Sequence, residues 1–517
     1  METGKPQHAK SDPAGRFLRT DHLQRDLKRR SVRGGAATLA AQFIKQFVIG
    51  LAATAILARL LRPEDFGLIA MVGGLTNLLA QFKDLGLSMA TVQRKELTQA
   101  QVSTLFWLNV GLGLAVATIA GAMAPVVAWF YGEPRLTAIT VAMAAAFLFS
   151  GTAVQHQALM LRQMRFTLLA KVRVASAAVG ALAGVTAAWQ GAGYWSLVVM
   201  QLTGTVTVSA LLWTVCGWRP GRPARGAGVG SLLAFGGNLT AANLLNYLVR
   251  NLDNILIGWR WGAGPLGLYA KAYGLLMLPI RQFNTPLTNV AIPALSQLQD
   301  RPALYVDFYK RGIQLLTMVG MPLVVFTFVD AREVILLVLG PQWLEAVPIF
   351  RVLAPAAFIG TFNVATGWVY ISLGRTRRQL RWTMIGALFN ITAFIIGLRW
   401  GAVGVATAYS ISACAIRFPG LCFCFHGTIV GMRDLGSAIW RSVGASALAG
   451  VALSVSGAVF VPPVGAGLRI TIDLIAFVAA YTAAWYVLPG GRGVMRDSLA
   501  LLNELRQPDR ANPSCPG

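Results

Sequence analysis

Long apolar stretches, separated by short loops, run through almost the whole chain and leave little else from which to build a fold. A membrane-spanning helix needs about 20 mostly apolar residues, because the hydrocarbon core is roughly 30 Å thick and a helix rises about 1.5 Å per residue. With 55% hydrophobic and only 13% charged residues, we predict an all-α polytopic membrane protein with about 14 transmembrane helices. The predicted spans are 36–61, 67–92, 102–126, 136–160, 168–190, 194–216, 231–258, 265–298, 312–339, 345–373, 380–400, 403–426, 437–460 and 468–488.

The positive charges are distributed unevenly between the loops. If the N-terminus is cytoplasmic, 32 of the 45 Lys and Arg residues fall in the two tails and the even-numbered loops, and seven fall on the opposite side. Because Lys and Arg collect on the cytoplasmic side of membrane proteins, we predict that both termini are cytoplasmic. The net charge of +25 then reflects topology and contact with anionic membrane lipids, and we expect no nucleic-acid partner.

The chain also resembles itself at an offset of 200 residues. Segments 67–78 and 267–278 are identical at six of twelve positions, and each follows a short external loop. Since six spans separate them, we predict two six-helix lobes in a parallel pseudo-twofold repeat, an arrangement found in transporters. The predicted segments are a basic cytoplasmic tail (1–35), the first lobe (36–216), a cytoplasmic linker (217–230), the second lobe (231–426), two additional spans (437–488) and a cytoplasmic C-terminal tail (489–517).

Several ionisable residues lie inside the predicted spans, where each charge costs about 2.5–3.5 kcal/mol on insertion scales. The cations are Lys45, Lys83, Arg250, Lys271, Arg281 and Arg351, and the carboxylates are Asp84 and Asp253. Two interpretations remain open. The charges are either structural ion pairs within helical hairpins or the lining of a hydrated, cationic chamber that binds an anionic group. For Arg351 and for Asp473, both near helix ends, snorkelling to the surface is the favoured interpretation.

The depths of these residues suggest two clusters. Lys45 and Asp84 both lie roughly 12–14 Å from the cytoplasmic side, counting about 1.5 Å per residue. The second cluster comprises Arg250, Asp253 and Lys271. As substrate-binding candidates we take Lys45, Lys83, Arg250, Lys271, Arg281 and Asn284, the last two lying among the three prolines of span 8. The candidates for ion coupling are Asp84 and Asp253.

Other chemistry has no support in the sequence. There is no nucleotide-binding glycine loop, and the five cysteines and four histidines lack metal-ligand spacing. We therefore expect no catalytic residue, no cofactor and no metal.

Seven short motifs resemble Wzx-type polysaccharide exporters, in the colanic-acid exporter branch of the polysaccharide transport family. This family belongs to the multidrug/oligosaccharidyl-lipid/polysaccharide flippase superfamily. The resemblance covers about residues 30–430. The motifs are RGG (33–35), LARLLRPEDFGL (57–68), DLGL (84–87), QRKELT (93–98), NLDNILIG (251–258), LGLY (266–269) and PALSQLQD (293–300).

The resemblance implies a flippase of the bacterial inner (cytoplasmic) membrane that translocates undecaprenyl-pyrophosphate-linked oligosaccharide for exopolysaccharide or lipopolysaccharide biosynthesis. Its expected partners are the lipid-linked oligosaccharide and, functionally, polysaccharide polymerase and export machinery. One alternative is a multidrug or cation antiporter of the same superfamily, which would favour an acidic chamber. The other is a membrane-embedded glycan polymerase, which would need a carboxylate cluster at the membrane face.

Overall fold

The computed structural model describes residues 38, 40–82, 88, 91–92, 97–224, 247, 251–459 and 465–496, and this part of the chain is helical without any strand. The helices are α1 (Ala40–Leu60), α2 (Pro63–Leu79), α3 (Gln99–Tyr131), α4 (Arg135–Arg162), α5 (Phe166–Trp189), α6 (Trp195–Cys216), α7 (described over 251–261), α8 (Ala263–Gln297), α9 (Pro302–Val329), α10 (Ala331–Val338), α11 (Ala346–Ser372), α12 (Thr376–Gly397), α13 (Gly401–Phe425), α14 (Met432–Val459) and α15 (Ala466–Val487).

Ten helical segments of the described chain are long and apolar enough to cross a membrane, which confirms the predicted all-α polytopic fold. One of them, Thr376–Phe425, comprises two helices, because the chain reverses at Leu398–Trp400 and Gly401 adopts a φ of +74°. The reversal forms an antiparallel hairpin in which the Ser412 hydroxyl donates a hydrogen bond to Oδ1 of Asn390 at 3.1 Å. The number fourteen stays a prediction.

The chain divides into two compact units, Met1–Gly267 and Leu268–Gly517. The described part of α7 belongs to the first unit, where it packs on α2: a Cβ atom added to Gly258 would lie 3.3 Å from Cγ of Met71. The sequence-based lobe boundary lies earlier, at the linker 217–230, whose residues from 225 onward are outside the described chain. The extents of the two lobes therefore stay a prediction.

Glycines bring the helices of the first unit together. Where α3 crosses α4, a Cβ atom added to Gly151 would lie 2.8 Å from the carbonyl oxygen of Asn109. Where α5 crosses α6, a Cβ on Gly180 would lie 2.7 Å from the carbonyl oxygen of Met200. Real Cβ atoms almost never approach so closely, so these helices touch backbone to backbone, as small residues allow in membranes.

A reciprocal contact joins α2 to the first turn of α8, still within the first unit. A Cβ on Gly67 would overlap the carbonyl oxygen of Ala263, and a Cβ on Gly267 would overlap that of Pro63. These positions are the 200-residue pairs of the internal duplication, and exchanging the two copies turns one contact into the other. A reciprocal contact of this kind is what the predicted twofold repeat would produce.

Large aromatic side chains form the core of the second unit. Tyr305, Tyr309 and Trp368 are fully buried, and Tyr309 meets Phe425 edge-on with ring centroids 6.4 Å apart. The last helices fold onto the same unit, since Tyr481 of α15 donates to the Met318 carbonyl of α9 at 2.8 Å.

The prediction of one span over 312–339 is wrong at both ends. Helix α9 begins earlier, at Pro302, where proline suits the first helical turn, and its exposed start carries an Asp307–Arg311 pair at 2.9 Å. It ends at Val329, and the short helix α10 follows Asp330. Apolarity marks the part of a helix that lies inside the membrane, so it does not reveal a polar extension or a turn at the membrane face.

Candidate functional site

Four cations lie within three helices of the second unit that contain no acidic residue. Lys271 and Arg281 lie on α8, Arg351 on α11 and Arg417 on α13. Helices α8, α11, α12 and α13 contain no Asp or Glu. This helical group is therefore positively charged at membrane depth, which is a property of anion-binding sites rather than of cation-binding ones.

Arg417 is a candidate site residue that the sequence analysis missed, because it was counted with the cytoplasmic loop charges. It lies eight residues before the end of α13, roughly 12 Å inside at 1.5 Å per residue. Its Nη1 donates to Oδ1 of the exposed Asn363 on α11, while its buried Nε has no hydrogen-bond partner in the described chain. Its position within the apolar stretch 403–426 was the available signal.

Helices α11 and α13 run in the same direction through this region. The Ala356 amide donates to the Ser410 hydroxyl at 3.3 Å, and Cys424 lies 3.8 Å from the Thr366 carbonyl. Later residues of α11 thus contact later residues of α13, as expected for parallel helices. The hydrogen bond from Arg417 to Asn363 lies between the two contacts just described.

Helix α8 is aligned with this pair. Tyr273 meets Tyr409 of α13 with ring centroids 6.3 Å apart, and fifteen residues later the Trp368 indole of α11 donates to the Thr288 hydroxyl at 3.0 Å. Arg281 follows Tyr273 by eight residues, as Arg417 follows Tyr409. Arg281 and Arg417 therefore lie at about the same level along these aligned helices, and we call this level the arginine level.

None of these polar side chains is fully buried within the protein. Arg281 and Asn363 are exposed, and Lys271, Asn284 and Arg417 are partly exposed. Because a charged side chain in the middle of a span avoids lipid, these exposed groups require a hydrated surface. An anion with several acceptor oxygens would match two guanidinium groups and two amides at one level.

The predicted site residues of the first unit are described only in part. Lys45 is exposed and lies in the π-helical segment Ile44–Gly50 of α1, a local irregularity that is frequent at functional sites. Asp253 is buried with 6% of its surface exposed, and its Oδ1 accepts the amide of Asn254 at 2.8 Å. Lys83, Asp84 and Arg250 lie outside the described residues, so both predicted clusters stay predictions.

The described fold is that of polytopic helical transporters. It is similar to the solved structure "Lipid II flippase MurJ, inward closed conformation", with a TM-score of 0.66 and 12% identity, over 87% of this chain and 98% of that one.

The chain belongs to the polysaccharide biosynthesis protein family, whose model matches residues 56–348. It is 28% identical to "Lipopolysaccharide biosynthesis protein WzxC" of Escherichia coli (strain K12), over 70% of this chain and 74% of that protein. It is 27% identical to "Teichuronic acid biosynthesis protein TuaB" of Bacillus subtilis (strain 168), over 63% of this chain and 68% of that protein. The resemblance seen in the sequence motifs is confirmed.

Proposed function

We propose that this protein is a flippase that translocates undecaprenyl-pyrophosphate-linked oligosaccharide repeat units across the bacterial inner membrane by alternating access, for exopolysaccharide or lipopolysaccharide biosynthesis. Both termini are cytoplasmic in this proposal, and polysaccharide polymerase and export machinery act on the product. Family membership supports a lipid-linked glycan as the substrate class.

The arginine level is the observation that carries the proposal. A pyrophosphate presents several charged acceptor oxygens, and guanidinium groups bind such oxygens with strong, directional hydrogen bonds. In the proposed mechanism Arg281 and Arg417 hold the pyrophosphate, while Lys271 and Asn284 contact the parts of the substrate next to it. The glycan occupies the hydrated surface and the lipid tail stays in the bilayer. Lys45, Lys83 and Arg250 complete the proposed cationic lining in the first half of the chain.

The energy source is proposed to be an ion gradient or consumption of the product. Asp84 and Asp253 are the proposed coupling carboxylates. A drug or cation antiporter would instead need acidic side chains where α8, α11, α12 and α13 have none. A glycan polymerase would need an accessible carboxylate cluster at the membrane face, whereas Asp330 and Glu333 on the predicted outer side are buried.

The test is polysaccharide export by a deletion strain that expresses variants at matched membrane levels. Arg281→Gln and Arg417→Gln should each reduce export roughly 10- to 100-fold, since a hydrogen bond to a charged group contributes about 1.5–3 kcal/mol. Lipid-linked oligosaccharide should accumulate in the cytoplasmic leaflet.

Two controls separate binding from folding. Arg281→Lys keeps the charge but not the guanidinium geometry, and should lose less export than Arg281→Gln. Arg351→Gln, near the start of α11, should leave export nearly unchanged. Normal export by both Gln variants and by the double variant would show that the arginine level does not bind the substrate.

A further inference from the structure

Three acidic residues and one arginine meet where α9 turns into α10, against the first turns of α15. The Arg469 guanidinium of α15 lies 3.5 Å from Oε1 of Glu333 on α10 and 3.6 Å from Oδ2 of Asp473 on α15. Asp330, at the turn itself, is the third carboxylate of this group. We call these four residues the α9–α15 corner. It lies in the second unit, on the predicted outer side, away from the arginine level.

Asp330 stands apart from the other members of the corner. It is 6% exposed, and its Oδ2 is buried without a hydrogen-bond partner in the described chain. It occupies the position before α10, where an aspartate ordinarily accepts a hydrogen bond from the next turn of amides, yet its side chain makes no such bond. Its carboxyl group is therefore neither a helix cap nor part of a direct ion pair in the described chain.

The charges around Asp330 are unbalanced. Glu333 on α10 and Asp473 on α15 are acidic, and Arg469 on α15 is the one cation of the corner. The α14 side chains packed on this end of α9, Ala449 and Leu453, are uncharged, and Arg332 of α10 is exposed. If all three acids were ionised, the corner would hold two uncompensated negative charges in a largely buried place, which is costly.

We propose that Asp330 is a proton-binding site whose occupied state stabilises the packing of α15 against α9 and α10. The proton comes from water and adds to the Asp330 carboxylate, which becomes a neutral carboxylic acid. Its O–H can then donate to a neighbouring carboxylate, so that the buried oxygen gains a partner and one negative charge disappears. The site is independent of the flippase proposal, because it uses none of the substrate-binding residues.

The pKa of the Asp330 carboxyl group agrees with this geometry. Burial, followed by the negative charges of Asp473 and Glu333, raises the pKa of Asp330 from 3.8 to about 7, and Arg469 opposes the rise. Because the pKa in the folded state is above that in the unfolded state, the stabilisation is complete below about pH 3.8. It is lost as the pH rises through about 7.

The experiment uses the purified full-length protein in lipid nanodiscs. Difference infrared spectra between about pH 6 and pH 8 should show one carboxylic acid that deprotonates near neutral pH, and Asp330→Asn should remove this signal. The unfolding temperature of the native protein should fall over the same interval, whereas that of Asp330→Asn should not. Asp307→Asn, at the exposed pair on α9, is the matched control and should keep both behaviours.

A second variant keeps the test decisive if Asp330→Asn does not fold. Asp473→Asn removes a neighbouring negative charge and should shift the titration midpoint of the same signal downward by about one pH unit. Absence of a neutral-range carboxylic acid from the native protein, or its persistence in Asp330→Asn, would overturn the proposal. So would an unchanged midpoint in Asp473→Asn.

Discussion

The two units differ in the atoms that meet their interhelical glycines. In the first unit, Gly151 and Gly180 let neighbouring backbones touch directly. In the second, Gly397 and Gly404 form a similar backbone contact between α12 and α13, but two other glycines make room for large rings. A Cβ on Gly312 would lie 2.9 Å from the indole of Trp368, and a Cβ on Gly420 would lie 2.7 Å from that of Trp382. A backbone contact has no side chain that can adjust, whereas a ring can shift. The second unit therefore combines backbone crossings with ring contacts, and it is the unit that carries Arg281 and Arg417.

The membrane environment explains why helices associate both through backbone contacts and through ring contacts. Lipid tails are as apolar as the helices, so helices associate through close packing and hydrogen bonds rather than through exclusion of water. Glycine crossings maximise close packing. Rings such as that of Trp368 add a hydrogen bond, here to Thr288, while filling the space between helices.

The largest effect is expected at the crossing of α2 and α8. Gly67→Ala and Gly267→Ala should each lower the amount of folded protein in the membrane more than tenfold, because the new methyl group would overlap a backbone carbonyl that cannot move alone. Gly274→Ala, also on α8 but with open space around it, is the control. The measurement is monodisperse protein after detergent extraction, and native levels of both variants would refute the rigid contact.

A smaller effect should distinguish the two packing modes directly. Gly180→Ala would place a methyl group too close to the Met200 carbonyl oxygen, and should lower the free energy of unfolding by about 1–3 kcal/mol, measured by thermal unfolding. Gly312→Ala should cost clearly less, because the Trp368 ring can move. Gly121→Ala, with nothing near its Cβ position, is the control: it measures the stability that alanine adds through helix propensity alone, for comparison with positions 180 and 312. Equal losses at positions 180 and 312 would remove the proposed contrast.

The smallest effect tests the hydrogen bond of the second unit. Trp368→Phe keeps a ring in the core but removes the donor to Thr288, and should cost about 1 kcal/mol beyond the loss of ring volume. Thr288→Val should produce a similar loss, and the double variant should add little to either. Fully additive losses in this cycle would show that the bond does not contribute.

Hydropathy predicted the helices well because a span must be apolar over its whole membrane length. It could not place Arg417, since the charge-asymmetry rule assigns cations to loops and this arginine lies inside α13. Nor could it find the turn at Asp330 within a continuous apolar stretch. The pairing of Trp368 with Thr288 was equally hidden, because helices that are apolar on most faces carry little periodic signal about which face meets which neighbour.

The crossing of Gly67 and Gly267 has a consequence for the origin of the chain. Under the 200-residue repeat the contact maps onto itself, and this self-complementarity is the property of an isologous homodimer interface. In the duplication that the sequence predicts, one glycine codon would have supplied both sides of the contact before the two copies were fused. After fusion there are two codons, but each glycine still faces the backbone of the other copy. The two positions are therefore separate in the gene and remain under a single steric constraint in the protein.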